Sequence, residues 1–410
     1  MTINVDSASD SPGPLFQFPV GYHRIHPDIG INFQMNRFYN WVGDARMLDE
    51  MREAATRIAD YADFTREFLA LADHALAGEQ HLKGAFYLRA AEFFMFPSDP
   101  LKRPTRERFL RLIKAHYGVT EADHSAIPYE GGVLSAYRFT QPEPKGTIVV
   151  CGGFDSYVEE WFAIVFALRD AGYDVITFDG PGQGAALEDF NLPMTHEWEK
   201  PVRTVLDHYD LNDVSLLGFS LGGELVIRAA AYEPRVHRVI ADDVLTDFSE
   251  VVLRQAGPAV RLMLGALVRV RAARAVNLLV KRNARRSLVI EWGIQQGMHV
   301  TGSRSAFEFL QKVRCLKTAE VSPRVTQDVL LMAGERDHYV PLHQFHDQMK
   351  TLENVRSLTA RLFTRAEQAQ NHCQIGNLGL SLHVIVAWLD AMTRAERPPL
   401  TAAAPVGDTL

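Results

Sequence analysis

Leu217-Gly218-Phe219-Ser220-Leu221-Gly222-Gly223 decides how this chain is read. It fits Gly-x-Ser-x-Gly, directly after the apolar run 214–217 and directly before a helical pattern over 221–232. A serine at such a strand-to-helix corner needs small neighbours, here Gly218 and Gly222, because the turn is tight. The corner lifts the hydroxyl to the top of the sheet, where free N–H groups and the helix dipole favour negative charge. Outward from it, apolar runs recur at 147–151, 175–178, 239–241, 329–333 and 358–363. They lack the in–out alternation of half-buried strands, so they predict strands covered on both faces. Helical patterns at 159–171, 196–209, 342–352 and 378–393 separate them. Strand–helix alternation predicts an α/β fold with a mostly parallel sheet flanked by helices. Residues 125–139, broken by Gly131-Gly132, predict an antiparallel hairpin leading into it.

A serine hydroxyl is a weak nucleophile; it needs a base, and the base needs an orienting carboxylate. Asp337 lies just past the strand at 329–333, and His372 lies between the strand at 358–363 and the next helix. Both therefore leave the carboxyl edge of the sheet, as Ser220 does. Glu335 is expected to point elsewhere, and His338, His343 and His346 to lie on the surface. Asp242, Asp243 and Asp247 are the alternative acids. Developing negative charge needs two N–H donors. Leu221 supplies one, and the glycine-rich loop after 147–151 supplies the other, through Phe154 with Gly153 as the substitute. Asp179-Gly180-Pro181-Gly182-Gln183-Gly184 lacks phosphate-loop spacing and reads as a turn. Cys151 and Cys373 read as packed small hydrophobes.

The rest of the chain organises around that sheet. Residues 1–14 and 398–410 are expected to be flexible tails, and 15–121 a helical N-terminal domain. Within it, helical periodicity runs from about 36 to 116, and Pro97, Pro100 and Pro104 separate the apolar stretch 84–96 from a helix at 106–115. A helix apolar almost all round is buried or lines a pocket. The sheet domain spans 122–397, with 244–320 as a helical insertion. Nine basic and no acidic residues fall between 251 and 290, a pattern expected of a solvated face that also suits an anionic substrate or partner. The overall charge of −7 argues against nucleic acid as a partner. The three cysteines form neither a disulfide framework nor a CxxC motif, so no metal is expected. A bilayer-spanning segment is not expected either, so the expectation is a cytoplasmic protein without membrane partners.

Several segments together resemble a known family: Tyr87-Leu-Arg-Ala-Ala-Glu-Phe93, Gly153-Phe-Asp-Ser-Tyr-Val-Glu-Glu160, Phe178-Asp-Gly-Pro-Gly-Gln-Gly184, Trp198-Glu-Lys-Pro-Val202 and His372-Cys-Gln-Ile-Gly-Asn377. They are similar to the α/β-hydrolase branch that holds 2,6-dihydroxypseudooxynicotine hydrolase and the fungal polyketide-shortening hydrolases. The resemblance implies an α/β-hydrolase fold with an eight-stranded sheet and an N-terminal helical cap. It also implies catalytic Ser220, Asp337 and His372, an oxyanion hole from Leu221 and Phe154, no cofactor, and a homodimer. The nicotine-degradation enzyme of this branch also uses an extra acidic residue past the strand after the nucleophile, a place for which Asp243, Asp247 and Glu250 compete here. Candidate substrate-binding residues are Gly153, Asp155, Tyr157, Phe86, Asp243 and Glu250. The implied reaction is hydrolysis of a carbon–carbon bond beside a ketone in a polyketide-like or planar aromatic small molecule. A carboxylesterase or thioesterase would use the same residues, and a non-catalytic ligand-binding protein would keep only the fold.

Overall fold

A computed structural model describes residues 17–285 and 287–396. The expected tails at 1–14 and 398–410, and Arg286 of the basic run, lie outside the described residues. The N-terminal part is five helices: α1 (Ile29–Val42), α2 (Ala45–Ala55), α3 (Tyr61–Ala77), α4 (His81–Phe93) and α5 (Lys102–Tyr117). The helical region thus starts at residue 29, seven earlier than its periodicity suggests, because α1 is buried almost all round, its polar residues Asn32, Asn36 and Asn40 included, so that no apolar face stands out against a polar one. Asp28 caps α1 by accepting the Gly30 and Ile31 N–H groups, and Gly43 ends it in the left-handed conformation. Pro104 does not precede α5 as expected. It sits in the first turn, where a missing N–H leaves no helical bond unmade.

The sheet domain follows as β1 (His124–Tyr129), β2 (Gly132–Phe139), β3 (Thr147–Cys151), α6 (Phe162–Asp170), β4 (Asp174–Asp179), α7 (Gly184–Glu188), α8 (Glu199–His208), β5 (Val214–Phe219), α9 (Leu221–Ala230) and β6 (Val236–Asp242). Five inserted helices come next: α10 (Phe248–Arg254), α11 (Pro258–Arg269), α12 (Ala273–Ala284), α13 (Leu288–Val300) and α14 (Ala306–Lys312). The chain closes with β7 (Asp328–Gly334), α15 (Leu342–Thr351), β8 (Ser357–Phe363) and α16 (Leu378–Glu396).

The eight strands run in the order β1-β2-β4-β3-β5-β6-β7-β8. β1 and β2 are antiparallel, as is β2 against β4, while every pair from β4 to β8 is parallel. β3 to β7 are buried nearly throughout, which is why their sequences read as unbroken apolar runs. β5 lies between β3 and β6, so the loops leaving all three meet at one edge. The core is two clusters, one on each face of the sheet. One joins Ile148, Val150, Leu217 and Leu330 to the N-terminal helices. The other joins Val149, Leu216, Val239 and Leu331 to the inserted helices. Among the described residues, no single helix is long and apolar enough to cross a membrane.

Candidate active site

Ser220 stands between β5 and α9 with φ 58 and ψ −125, a conformation costing an ordinary residue about 1–3 kcal/mol. The turn holds it there by a hydrogen bond from Ser220 N–H to the Asp242 carbonyl, 2.7 Å. The glycines are steric necessities. A Cβ on Gly218 would lie 2.1 Å from the Gly222 carbonyl oxygen, and one on Gly223 1.9 Å from that of Asp243. Leu221 opens α9, so its N–H has no partner within the helix.

Two loops meet this corner from the far side. After β7, Asp337 folds its own turn: Oδ1 accepts the N–H of Tyr339 at 2.7 Å and of Val340 at 2.9 Å. After β8, the chain returns past it, and Arg336 N–H donates to the Gln370 carbonyl at 2.8 Å. A side chain on Gly334 would strike the carbonyls of Gln370 and Asn371, so that crossing also requires glycine. The result brings three distant residues together. Ser220 Oγ is 2.8 Å from His372 Nε2, and His372 Nδ1 is 2.6 Å from Asp337 Oδ2. An ionised carboxylate only accepts, so in the neutral imidazole Nδ1 carries the proton toward Asp337 and Nε2 is left to accept from the serine hydroxyl.

A fourth group reaches the same imidazole. Asp243, just past β6, has Oδ2 2.9 Å from His372 Nδ1. Its oxygens also accept Cys373 N–H at 2.6 Å and Gln374 Nε2 at 3.0 Å. The electrostatics follow from burial and charge. Burial favours the neutral imidazole, but the Asp337 charge and the bonds to both carboxylates outweigh it, raising the His372 pKa well above its usual value. Burial likewise opposes ionisation of Asp337, yet His372 holds it down at about 2. Asp243 is pushed up to about 6, by burial first, with the Asp337 charge adding to it and the bond to His372 opposing it. Asp242, beside it and fully buried, is raised well above the carboxylate range by burial and by the Asp243 charge.

The loop after β3 is held from two directions. Gln183 Nε2 donates to the carbonyls of Gly152 at 2.6 Å and Gly153 at 3.0 Å. Since C=O and the following N–H point oppositely across a trans peptide, this aims the Phe154 N–H away from Gln183. Gly153 packs so closely that an added Cβ would sit 2.9 Å from the Leu221 nitrogen. From the other side, the N-terminal helices grip the loop with buried charge. Glu160 accepts Arg37 Nε at 2.6 Å and Arg89 Nε at 3.0 Å. Arg37 also reaches Asp155 at 3.0 Å, and Arg89 reaches the Asp155 carbonyl at 2.7 Å. Glu92 then accepts Arg89 at 2.7 Å, Lys102 at 2.5 Å and the Tyr157 hydroxyl at 2.6 Å. Burial alone would raise the Glu92 pKa, but Lys102 and Arg89 hold it at about 2.

Ser220 and His372 open into a cavity of about 180 Å³ whose wall is overwhelmingly apolar. Phe33 and Arg37 of α1, Phe93 of α4, Phe154 after β3, and Trp292 of α13 line it, so both helical regions contribute. Asp155 and Arg37 give it one charged corner.

Several expected roles are corrected by these positions. Gly153 and Asp155 do line the cavity, but Tyr157 does not; its hydroxyl is bound to Glu92, and the Arg89 guanidinium covers its ring at 4.3 Å. Phe86 packs on Trp41 and Phe109 within the N-terminal domain, whereas Phe93 and Phe94 of the same region face the cavity. Asp243 is buried behind His372 rather than in the cavity wall. Glu250 accepts from His343 and Gln344 outside the cavity. Asp247 caps α10, and Glu335 accepts the Arg365 N–H. His338 is not a surface residue. Its ring lies against Phe33 and Tyr339, and burial lowers its pKa to about 4. Cys373 contributes to the cavity wall rather than only to packing. Sequence reasoning missed Gln183, Arg37, Arg89 and Glu160. For Arg37, Arg89 and Glu160 the available signal is charge inside segments that are otherwise apolar, since a buried charge must find a partner; neutral Gln183 carries no such signal.

Residues 148–374 match the model of a family described as the alpha/beta hydrolase family. The chain is 27% identical to a Fusarium hydrolase, LUC6, over 92% of this chain and 100% of that protein. It is 32% identical to 20-hydroxy-prefusarin hydrolase FUS2 of Gibberella moniliformis over 45% of this chain and 49% of that one. Among solved structures, 2,6-dihydroxy-pseudo-oxynicotine hydrolase superposes with a TM-score of 0.58 at 20% identity, over 90% of this chain and 96% of that one. The fold class and the branch resemblance read from the sequence both agree with these likenesses.

Proposed function

Because the chain belongs to the alpha/beta hydrolase family, we propose that it is a serine hydrolase that cleaves a carbon–carbon bond beside a ketone in an aromatic or polyketide-like small molecule. The observation that carries this reading is the unbroken contact path Ser220–His372–Asp337 at the wall of an apolar, aromatic cavity. Ser220 Oγ adds to the carbonyl carbon while His372 Nε2 takes its proton. The new alkoxide is stabilised by the N–H groups of Leu221 and Phe154. Losing one such donor typically costs about 3–4 kcal/mol of transition-state stabilisation. Collapse restores the carbonyl as an ester on Ser220 and breaks the carbon–carbon bond. Its electron pair leaves as an enolate or phenol-stabilised carbanion, which takes the proton from His372. Water, deprotonated by His372, then attacks the ester and frees the carboxylic acid and Ser220. Asp337 holds the imidazole tautomer and stabilises its cationic form throughout.

The reaction needs a leaving carbanion that is stabilised, so the substrate class is a β-diketone or a polyphenolic aryl ketone. The aromatic wall suits a planar molecule, and Arg37 with Asp155 suits a phenolic or enolic oxygen at one end. A panel of aryl β-diketones, p-nitrophenyl esters and acyl thioesters, with products identified by mass spectrometry, tests the assignment. Conversion of a diketone to one ketone and one carboxylic acid is expected. Ser220→Ala is expected to lower turnover by about 10⁶. Turnover by Ser220→Ala near that of the parent would remove the covalent mechanism, and cleavage of esters alone would make the protein an esterase.

A further inference from the structure

We infer that the outer face of α11 and α12 docks on an anionic lipid surface, which sets the cavity wall formed by their inner face beside a membrane. α11 carries two apolar stripes where a surface helix needs one. Leu264 and Val268 are buried, and Leu264 lines the cavity. On the opposite side Ala259, Leu262, Ala266 and Val270 recur at spacings of three and four, and all are exposed. α12 repeats the arrangement with charge. Val276 and Val280 are buried, Val280 lines the cavity, and Arg274, Leu278, Lys281 and Arg285 stand exposed on the far side. Both helices rest on α14: Gln311 Nε2 donates to the Val268 carbonyl at 2.9 Å, and Asn277 Oδ1 accepts the Phe307 N–H at 2.9 Å. Their outward sides therefore form one surface.

The chemistry of that surface selects its occupant. Among the described residues nine large apolar side chains stand exposed; Leu262, Met263, Val270 and Leu278 all lie here, and three of them are the most exposed of the nine. Scattered singly such residues mean little, but a cluster rimmed by polar groups marks a contact site. The rim is basic. All eight described Arg and Lys residues between 251 and 290 are exposed, and no acidic residue falls in that range. Arg261 lies 3.6 Å from Glu250, while the other seven have no carboxylate within ion-pair distance among the described residues. Elsewhere exposed arginines find acids close by, as Arg57 and Arg66 do. Like charge opposes a second copy placed face to face. A nucleic acid would leave the leucines without a role, and no aromatic side chain is present between 251 and 290 to stack on bases. A charged bilayer interface uses both elements, taking the apolar side chains into the acyl boundary and the cations at the headgroup phosphates. A helix lying there spans nothing, so the expectation of no membrane partner, which concerns spanning segments, does not reach it.

The test is cosedimentation of the full chain with vesicles of phosphatidylcholine mixed with phosphatidylglycerol, and with vesicles of phosphatidylcholine alone, at rising salt. The parent is expected to bind the mixed vesicles about 10³-fold or more tighter than the neutral ones, with the preference fading as salt screens it. The triple variant Arg274→Gln, Lys281→Gln, Arg285→Gln is expected to lose about 100-fold on the mixed vesicles. The double variant Leu262→Ser, Leu278→Ser is expected to lose about tenfold. Near-UV circular dichroism and fluorophosphonate acylation of Ser220 without vesicles are expected to match the parent in both, since none of these side chains meets the cavity. Equal binding to the two kinds of vesicle, or binding that both variants retain, overturns the inference. So does a dimer in sedimentation velocity that the leucine variant dissociates, which gives the face to a second copy. A DNA duplex held more tightly than the mixed vesicles, with the leucine variant unaffected, overturns it as well. Vesicle binding is read without turnover, so failure of docking and failure of the serine mechanism are separate results.

Discussion

Two helical regions wall the same cavity; both pack on the sheet through apolar side chains, and they differ in buried charge. The N-terminal helices add buried ionic groups to their apolar core: Arg37 and Arg89 reach Glu160 of the sheet domain, and Glu92 takes Arg89 and Lys102 within the helices, all with almost no solvent contact. The inserted helices α11 and α12 rest on few buried side chains, Leu264 and Val268 on one, Val276 and Val280 on the other. Their outer faces expose Leu262, Val270 and Leu278 at 70% or more, beside basic side chains that are all exposed where described. Desolvating a charge costs so much that a buried pair tolerates only one geometry, whereas apolar contact at a helix surface permits sliding. The first region is therefore a fixed wall that also holds the loop carrying Phe154. The second has few buried contacts to oppose local opening.

The comparison is broken most forcefully at Glu160, which holds two guanidinium groups. Glu160→Ala leaves Arg37 with Asp155 and Arg89 with Glu92 but removes the carboxylate they share, so one buried positive charge is left uncompensated, and it is expected to destabilise the protein by about 3–5 kcal/mol in urea titration. An effect below about 1 kcal/mol would show that the ionic joint is not what fixes the N-terminal wall.

Acid is the next lever. Glu92 is held at about 2, below its unfolded value of about 4.3, so its contribution is full above that value and is lost as pH falls toward 2. Residues 251–290 contain no carboxylate and titrate nothing in that window. Between pH 4.3 and 2, the stability of Glu92→Gln is therefore expected to fall less steeply than the parent's, as read by thermal unfolding across pH. Identical slopes would remove Glu92 from the account.

Hydrogen exchange sharpens the contrast without mutation. Amides of α11 and α12 are expected to exchange faster than those of α4, by about tenfold or more, because few buried contacts oppose local opening. Equal protection would make both walls rigid. The smallest effect is expected at the exposed face. Leu262→Ser and Leu278→Ser are expected to change stability by no more than about 0.5 kcal/mol in the same urea titration. A larger loss would mean that this face is covered.

Much of this molecule was legible without coordinates because its signals are local. Gly-x-Ser-x-Gly after an apolar run predicts the corner at Ser220, since only glycine fits beside it, and the unbroken apolar runs predict a sheet covered on both faces. Asp337 and His372 were legible for the same reason: each follows a strand and so leaves the sheet at the edge where Ser220 stands. The start of α1 was not, because a helix buried all round has no periodicity to read, nor were the residues that line the cavity, because facing direction depends on packing partners. Phe86 and Phe93 lie on one helix, yet one packs inward and the other meets the cavity.

The amino-acid sequence by itself determined the strand order of chemistry along the chain, the serine corner, and which residue types are available at the sheet edge. Only the tertiary structure decided that Asp243 joins Asp337 on one imidazole nitrogen, and that Glu160 sits between Arg37 and Arg89. Both are meetings of groups far apart along the chain, settled by which buried charge finds its partner, and no local pattern encodes such a distance.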